Sequence, residues 1–140
     1  AYVIRNALEM ESARRAAEKL TQAQAEVLED NIAAHKTAIA RGRYSDAIHL
    51  DDVFHRTIAE VNGFHMLWRA VDISKAQMDR GRYLAIPKPG YGEQTIQQHQ
   101  AILKALQRHD GEAAATAMRE HLNTSLRNTL EVAAVNNAFG

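Results

Sequence analysis

Residues 51–58, with the sequence DDVFHRTI, decide the fold of this chain because they place an acidic residue and a histidine on the apolar face of a predicted helix. Asp51 and His55 lie one helical turn apart, on the same side of a helix as the apolar Phe54. A carboxylate on an apolar face costs free energy unless a partner compensates for it. The stretch therefore predicts a helix inside a bundle, with a polar site built on its buried side.

Two later histidines interrupt apolar stripes in the same way. His99 shares a predicted helical face with Leu103, and His121 shares one with Leu122. Taken singly, each is an ordinary hydrogen-bonded core histidine, and an Asp-x-x-x-His pair is an ordinary ion pair on a helix surface. Taken together, the three predicted helices each point a metal-binding side chain into the bundle. This convergence predicts a divalent metal site. Its predicted ligands are Asp51, His55, His99 and His121.

Imidazole nitrogens and a carboxylate oxygen suit zinc, which is the preferred metal, and also nickel, manganese, iron or cobalt. Four protein ligands can close a tetrahedron and give a purely structural zinc site. They can also fill four positions of an octahedron and leave two for water or a bidentate ligand. The residues alone leave both alternatives open.

Composition narrows the class of protein. The chain has 140 residues, 46% of them hydrophobic, with seven glycines, two prolines and no cysteine. The absence of cysteine excludes disulfides and thiolate metal sites. Seventeen basic residues balance seventeen acidic ones, so nothing resembles the basic excess of a domain that binds nucleic acid by itself. No uncharged apolar run approaches the ~18 residues of a membrane span, and a cytoplasmic location is expected.

Helical periodicity and breakers predict an all-α antiparallel bundle of six helices, with seven as the alternative count. Thr21 is a predicted N-cap, and Asn62-Gly63 is a predicted helix end. The predicted helices cover about 2–19, 22–42, 45–62, 65–84, 93–108 and 111–135. Residues 1–135 are expected to form one domain, and residues 136–140 a frayed tail.

Four segments, in order, resemble the FCD domain, the C-terminal effector domain of GntR-type bacterial transcription regulators. Residues 4–17 resemble its opening R-x-x-L-E helix, and residues 51–55 match its D-x-x-F-H motif. Residues 98–106 match its E-H-x-x-I-L-x-A-I stretch, and residues 110–122 match G-D-x-x-A-A-x-x-x-M-x-x-H-L. The resemblance implies that Asp51, His55, His99 and His121 are the metal ligands of the family.

The resemblance carries further expectations. An N-terminal winged helix-turn-helix domain is expected outside this chain, so that DNA is contacted only through that domain. A homodimer is expected, with Met66, Leu67 and Trp68 as candidate interface residues or ordinary core. Six helices favour the VanR-like branch of the family. The sequence departs from the family at Gln98, where glutamate is frequent, and at Gly63-Phe64, where Gly-Asn is frequent.

A small carboxylate or hydroxy-acid effector is expected to bind beside the metal, in a cavity of the bundle. Arg5 and Arg80 are candidate contacts for its carboxylate, and Arg82 and Tyr83, close by on the same predicted helix, are alternatives to Arg80. Ser125, one turn beyond His121, is a candidate hydrogen-bonding residue. Each of these side chains has an ordinary structural or surface role as its alternative.

A metalloenzyme is the rival interpretation, since a metal with open positions can activate water. No Glu-x-x-His pair occurs, and no glutamate is expected beside the ligands to act as a base, so the chain is predicted not to be an enzyme. The remaining histidines are interpreted as exposed, close to a turn or at a helix start, with no part in the site. They are His35, His49, His65 and His109.

Overall fold

The computed structural model describes residues 2–76 and 78–139, and in these ranges the chain forms seven helices and no strand. The helices are α1 (Tyr2–Lys19), α2 (Gln22–Ala40), α3 (Tyr44–Val61), α4 (His65–Ala76), α5 (Asp79–Ala85), α6 (Tyr91–Gln107) and α7 (Gly111–Phe139). The predicted all-α class is confirmed. Short loops join α2 to α3 and α6 to α7, and both pairs pack against each other as antiparallel neighbours.

Local sequence signals set the ends of two helices as predicted. The Thr21 hydroxyl accepts a hydrogen bond from the Gln24 amide nitrogen at 3.1 Å, and the Gln24 side chain accepts one from the Thr21 amide at 2.9 Å. This reciprocal pair is a capping box at the start of α2. At the end of α3, Gly63 has a φ of +70°, and the Phe64 amide donates to the Ala59 carbonyl at 3.2 Å. Glycine suits this left-handed position because it has no Cβ.

The single helix predicted over about 65–84 is wrong, because this segment holds two helices, α4 and α5. They pack against different partners: α4 lies on α1, α5 lies on α7, and both contact α3. At the start of α5, the Asp79 carboxylate accepts from Arg82 at 2.9 Å. With seven helices in the described ranges, the helix count no longer supports the VanR-like branch. Residues 136–139 continue α7, so the helix extends beyond its predicted end, and Gly140 lies outside the described residues.

Two apolar clusters build the interior. The larger one joins α1, α2, α3, α6 and α7 and includes the fully buried Phe54, Leu106 and Met118. The smaller one includes Ile48 and Ile86, where α2 and α3 meet the segment after α5. Among the described residues, no helix is long and apolar enough to cross a membrane.

Candidate metal centre

Four metal-binding side chains from three helices meet inside the bundle. Each offers one ligand atom, and all four atoms lie within 4.8 Å of one another. Asp51 and His55 come from α3, His99 from α6 and His121 from α7. The three histidines are at most 2% exposed. The predicted convergence of these residues is therefore found in the structure.

Two of the four inner atoms of this cluster are buried without a hydrogen-bond partner. Asp51 Oδ1 lies 2.9 Å from His99 Nε2 and 3.5 Å from His55 Nε2. Both Asp51 Oδ1 and His99 Nε2 are nevertheless buried without a hydrogen-bond partner. Buried polar atoms are normally satisfied, so such a concentration of unsatisfied donor atoms needs an explanation. A shared cation supplies one, and the residues present therefore fit a divalent metal.

Two side chains outside the cluster orient the imidazole rings. His55 Nδ1 lies 2.5 Å from Glu9 Oε1, and His121 Nδ1 lies 2.6 Å from Gln98 Oε1. Both oxygens are acceptors, so each Nδ1 carries the proton and each Nε2 faces inward. The two Nε2 atoms lie 3.2 Å apart. Two lone pairs repel at that distance, so a cation must lie between them, either a proton on one nitrogen or a metal ion.

Glu9 was not predicted as part of the site, and the expectation that no glutamate lies beside the ligands is wrong. Glu9 is 3% exposed and also accepts from Arg5 Nε at 2.6 Å. Burial opposes its ionisation, but the charges of His55 and Arg5 outweigh that effect and hold its pKa well below the usual range. Glu9 lies on the face of α1 that buries Ala13 and Ala16. The position of Glu9 on this apolar face was the signal in the sequence that could have identified it as buried.

The protonation states of the histidines differ. Burial lowers the pKa of His55, but the carboxylates of Glu9 and Asp51 reverse this and raise it to about 9. Burial lowers the pKa of His99 to about 4, with Asp51 partly opposing. Burial and the neighbouring His99 and His55 hold the pKa of His121 well below its usual value. At neutral pH the metal-free cluster therefore carries one extra proton, on His55, and two neutral rings.

The outer oxygen of Asp51 belongs to a second set of ion pairs. Arg82 Nη2 donates to Asp51 Oδ2 at 2.7 Å and to Asp52 Oδ1 at 3.0 Å. Asp52 also accepts from Lys75, which is 1% exposed and lies 5.4 Å from the Trp68 ring. Burial works against the charge of Arg82, but Asp51 and Asp52 raise its pKa. These contacts fix the direction of the Asp51 carboxylate and connect it to α4 and α5.

A cavity of about 30 Å³ adjoins the cluster at Asp51. Of the predicted effector contacts, Arg5 and Ser125 line it. Arg80 is exposed and does not line the cavity, whereas Arg82, two positions later, does. The register of α5 explains the difference, because α5 turns Arg82 toward α3.

The remaining histidines divide into two groups. His49, His65 and His109 are exposed and take no part in the cluster, in agreement with their interpretation. His35 was interpreted in the same way, but it is 1% exposed and lines the cavity. Its ring meets that of His99 edge to face, with centroids 5.4 Å apart. Of the candidate interface residues, Met66 is 72% exposed, whereas Leu67 and Trp68 are half-buried.

Fold and site together define the class: an all-α bundle whose interior holds a four-residue candidate metal centre at the edge of a small cavity. A family model of the FCD domain matches residues 1–124. The chain belongs to the FCD domain family, as the resemblance of its motifs predicts.

Similar curated proteins carry the names of transcription regulators. The HTH-type transcriptional repressor RspR of Escherichia coli strain K12 is 37% identical over 119 residues, which are 85% of this chain and 52% of the repressor. A regulator of Streptomyces ambofaciens, named as an uncharacterized HTH-type transcriptional regulator in an unstable DNA locus, is 29% identical over 126 residues. Those residues are 87% of this chain and 51% of that regulator. The chain thus spans about half the length of these relatives.

Proposed function

We propose that this chain is the metal-dependent sensing domain of a transcription regulator and binds a small organic acid in the cavity beside the cluster. The observation that carries the proposal is the shared position of Asp51, which belongs both to the four-donor cluster and to the cavity wall. An effector in the cavity therefore lies next to the metal position. The regulator names of the relatives support a regulatory role.

In this proposal Asp51, His55, His99 and His121 hold the ion, with zinc as the preferred metal. A metal held by these residues would supply a Lewis acid for a carboxylate oxygen of the effector. Arg5 lines the same cavity and offers its guanidinium to the same carboxylate, and Ser125 offers a hydroxyl. Glu9 and Gln98 keep the ligating rings oriented.

The effector would act by shifting an equilibrium between two arrangements of the full regulator. A ligand shifts such an equilibrium only through its different affinities for the two states. We propose that DNA is contacted by a helix-turn-helix domain of the full-length protein, which acts as a homodimer in the cytoplasm. The helix α1 carries both Arg5 and Glu9, so it connects the cavity and the cluster to the N-terminal end of the domain.

Calorimetric titration of organic acids into zinc-loaded and chelator-stripped protein tests the proposal. We expect short carboxylic acids to bind the loaded form at least tenfold more tightly than the stripped form. Equal binding to both forms would remove the metal from the mechanism. Binding to neither form would remove the effector as well.

A purely structural metal site is the second candidate, and the deep burial of the three histidines favours it. Four protein donors can complete a tetrahedral zinc site without any further ligand. This candidate predicts strong stabilisation by zinc and no response to acids. Catalysis is not proposed, because Glu9, the one glutamate buried at the cluster in the described part of the chain, is already engaged by Arg5 and His55.

A further inference from the structure

His35 is a buried polar residue of the cavity wall that the proposed metal site does not use. It lies on the face of α2 that buries Leu28 and Ile32, where an apolar side chain would satisfy packing. The ring is 1% exposed, and its Nδ1 atom has no hydrogen-bond partner among the described residues. Burial lowers its pKa, so the ring is neutral and offers one nitrogen as donor or acceptor.

Uncharged polar groups accompany His35 around the cavity. Tyr91, Thr95, Ser125 and Thr129 bring hydroxyl groups from α6 and α7 to its lining. Burial raises the pKa of Tyr91, so its phenol also stays neutral. Apolar side chains such as Ile48, Ile86 and Leu126 make up most of the lining. Within this apolar wall, a ligand hydroxyl group beside His35 would give its Nδ1 atom a hydrogen-bond partner, whereas a hydrocarbon tail there would leave that buried atom without one.

The charges at the cavity limit the number of carboxylates that a ligand can carry. Arg5 already pairs with Glu9 at 2.6 Å. Arg82 already pairs with Asp51 at 2.7 Å and with Asp79 at 2.9 Å. Among the described residues lining the cavity, the charge of each guanidinium group is therefore already balanced. Arg5 can still hydrogen bond the carboxylate at the metal position, but neither arginine is left to neutralise a second carboxylate.

We propose that His35 is a specificity-determining residue that hydrogen bonds a hydroxyl group of the effector, and that the effector is a small hydroxylated monocarboxylate. The inference rests on the proposed function, because the carboxylate end is assigned to the metal. The cavity volume of about 30 Å³ favours acids of few carbon atoms. His35 then contacts the part of the ligand that does not touch the metal, and it distinguishes ligands by their hydroxyl group.

Calorimetry with matched pairs of acids tests this assignment on the zinc-loaded protein. The probes are 3-hydroxypropionate against propionate and 3-hydroxybutyrate against butyrate, with malonate as a dicarboxylate. We expect the wild type to prefer each hydroxy acid about tenfold over its parent acid. His35→Leu should abolish that preference while changing the affinity for the parent acids less than about threefold. His35→Gln, which keeps a hydrogen-bonding group, should retain part of the preference.

Two controls separate this role from a structural one. His49→Leu removes an exposed histidine and should behave as the wild type. Zinc affinity, measured by competition with a chelator, should be unchanged in His35→Leu. A loss of zinc affinity in that variant, an unchanged hydroxyl preference, or tighter binding of malonate than of the hydroxy acids would overturn the inference.

Failure of the proposed function is recognisable before any variant is made. If the wild-type zinc-loaded protein binds none of these acids, the proposed function and this inference fall together. If it binds the parent and hydroxy acids equally, the proposed function stands and the role of His35 is refuted.

Discussion

The orientation and the basicity of each imidazole in this cluster depend on what its second nitrogen contacts. Glu9 accepts from His55, and Gln98 accepts from His121, so a carboxylate orients one ring and an amide orients the other. A carboxylate partner raises the basicity of the imidazole that it orients more than an amide does. Of these two rings, His55 is therefore the stronger metal donor, and His121, which is oriented by the Gln98 amide, is the weaker one.

Glu9→Gln should lower zinc affinity about 10–100-fold, because the amide orients His55 less firmly and the negative charge beside the ring is lost. Competition with a fluorescent zinc chelator measures the change. Glu18→Gln makes the same substitution at an exposed position of α1 and should leave the affinity as it is. Equal losses in the two variants would assign the effect to net charge and not to the contact between Glu9 and His55.

Metal binding should release about one proton per ion at pH 7, because the pKa of His55 is raised to about 9 in the metal-free cluster. The ion must displace that proton, so zinc affinity should rise about tenfold per pH unit between roughly pH 6.5 and 8. His99, with a pKa of about 4, is already neutral in this range and adds no further slope. Calorimetry in buffers of different ionisation enthalpy counts the protons, and a count near zero would contradict the assignment.

The four candidate ligands were predictable from sequence because each interrupts an apolar helical face. Glu9 and His35 were not identified, for two physical reasons. Glu9 follows Arg5 by one turn, and such a pair also occurs on solvated helix surfaces. His35 lies between apolar and charged neighbours on α2, and only the packing of α3 and α6 against that helix makes it buried. The apolar face of each helix indicated that these two positions could be buried. Their contacts lie on other helices, and one helix alone does not encode those contacts.

At the scale of helices, α5 is positioned by a close approach to α7. A Cβ atom on Gly81 would collide with the Thr129 methyl group, so α5 reaches this distance only with glycine there. The approach brings Arg82, one position later, onto Asp51 and into the cavity lining. Predicting one continuous helix over about 65–84 failed because the division reflects this packing, whereas the capped ends of α2 and α3 follow from local sequence.

Gly81→Ala should destabilise the protein by about 1 kcal/mol or more, since the new methyl group overpacks the contact between α5 and α7. In a Thr129→Ser background, which lacks the methyl group of Thr129, the same substitution should be neutral or stabilising by up to about 1 kcal/mol, because alanine favours helix. Urea unfolding of the four proteins measures the cycle. Additive effects of the two substitutions would show that this contact does not position α5.

For the whole molecule, the cluster joins helices that are distant in sequence. Asp51 and His55 lie on α3, His99 on α6 and His121 on α7, so one ion would connect the middle of the chain to its last two helices. A ligand that binds only the folded state stabilises it in proportion to the logarithm of its concentration relative to Kd. Metal removal should therefore weaken the bundle as a whole and not one helix alone.

Zinc at about 100 times its Kd should stabilise the folded protein by about 2.7 kcal/mol, which raises the thermal midpoint by roughly 10 °C over protein in chelator. His99→Leu should abolish that response. Without metal, the variant should melt at or above the midpoint of the wild type, because both ring nitrogens of His99 are buried without a hydrogen-bond partner and leucine carries no such cost. Circular dichroism during heating measures all four midpoints.

A zinc response that survives in His99→Leu would mean that the ion binds elsewhere, and a marked loss of stability in the metal-free variant would mean that His99 is held by the fold itself. The expected combination, a core that is more stable without its histidine until metal is added, identifies a position where the sequence gives up stability for binding.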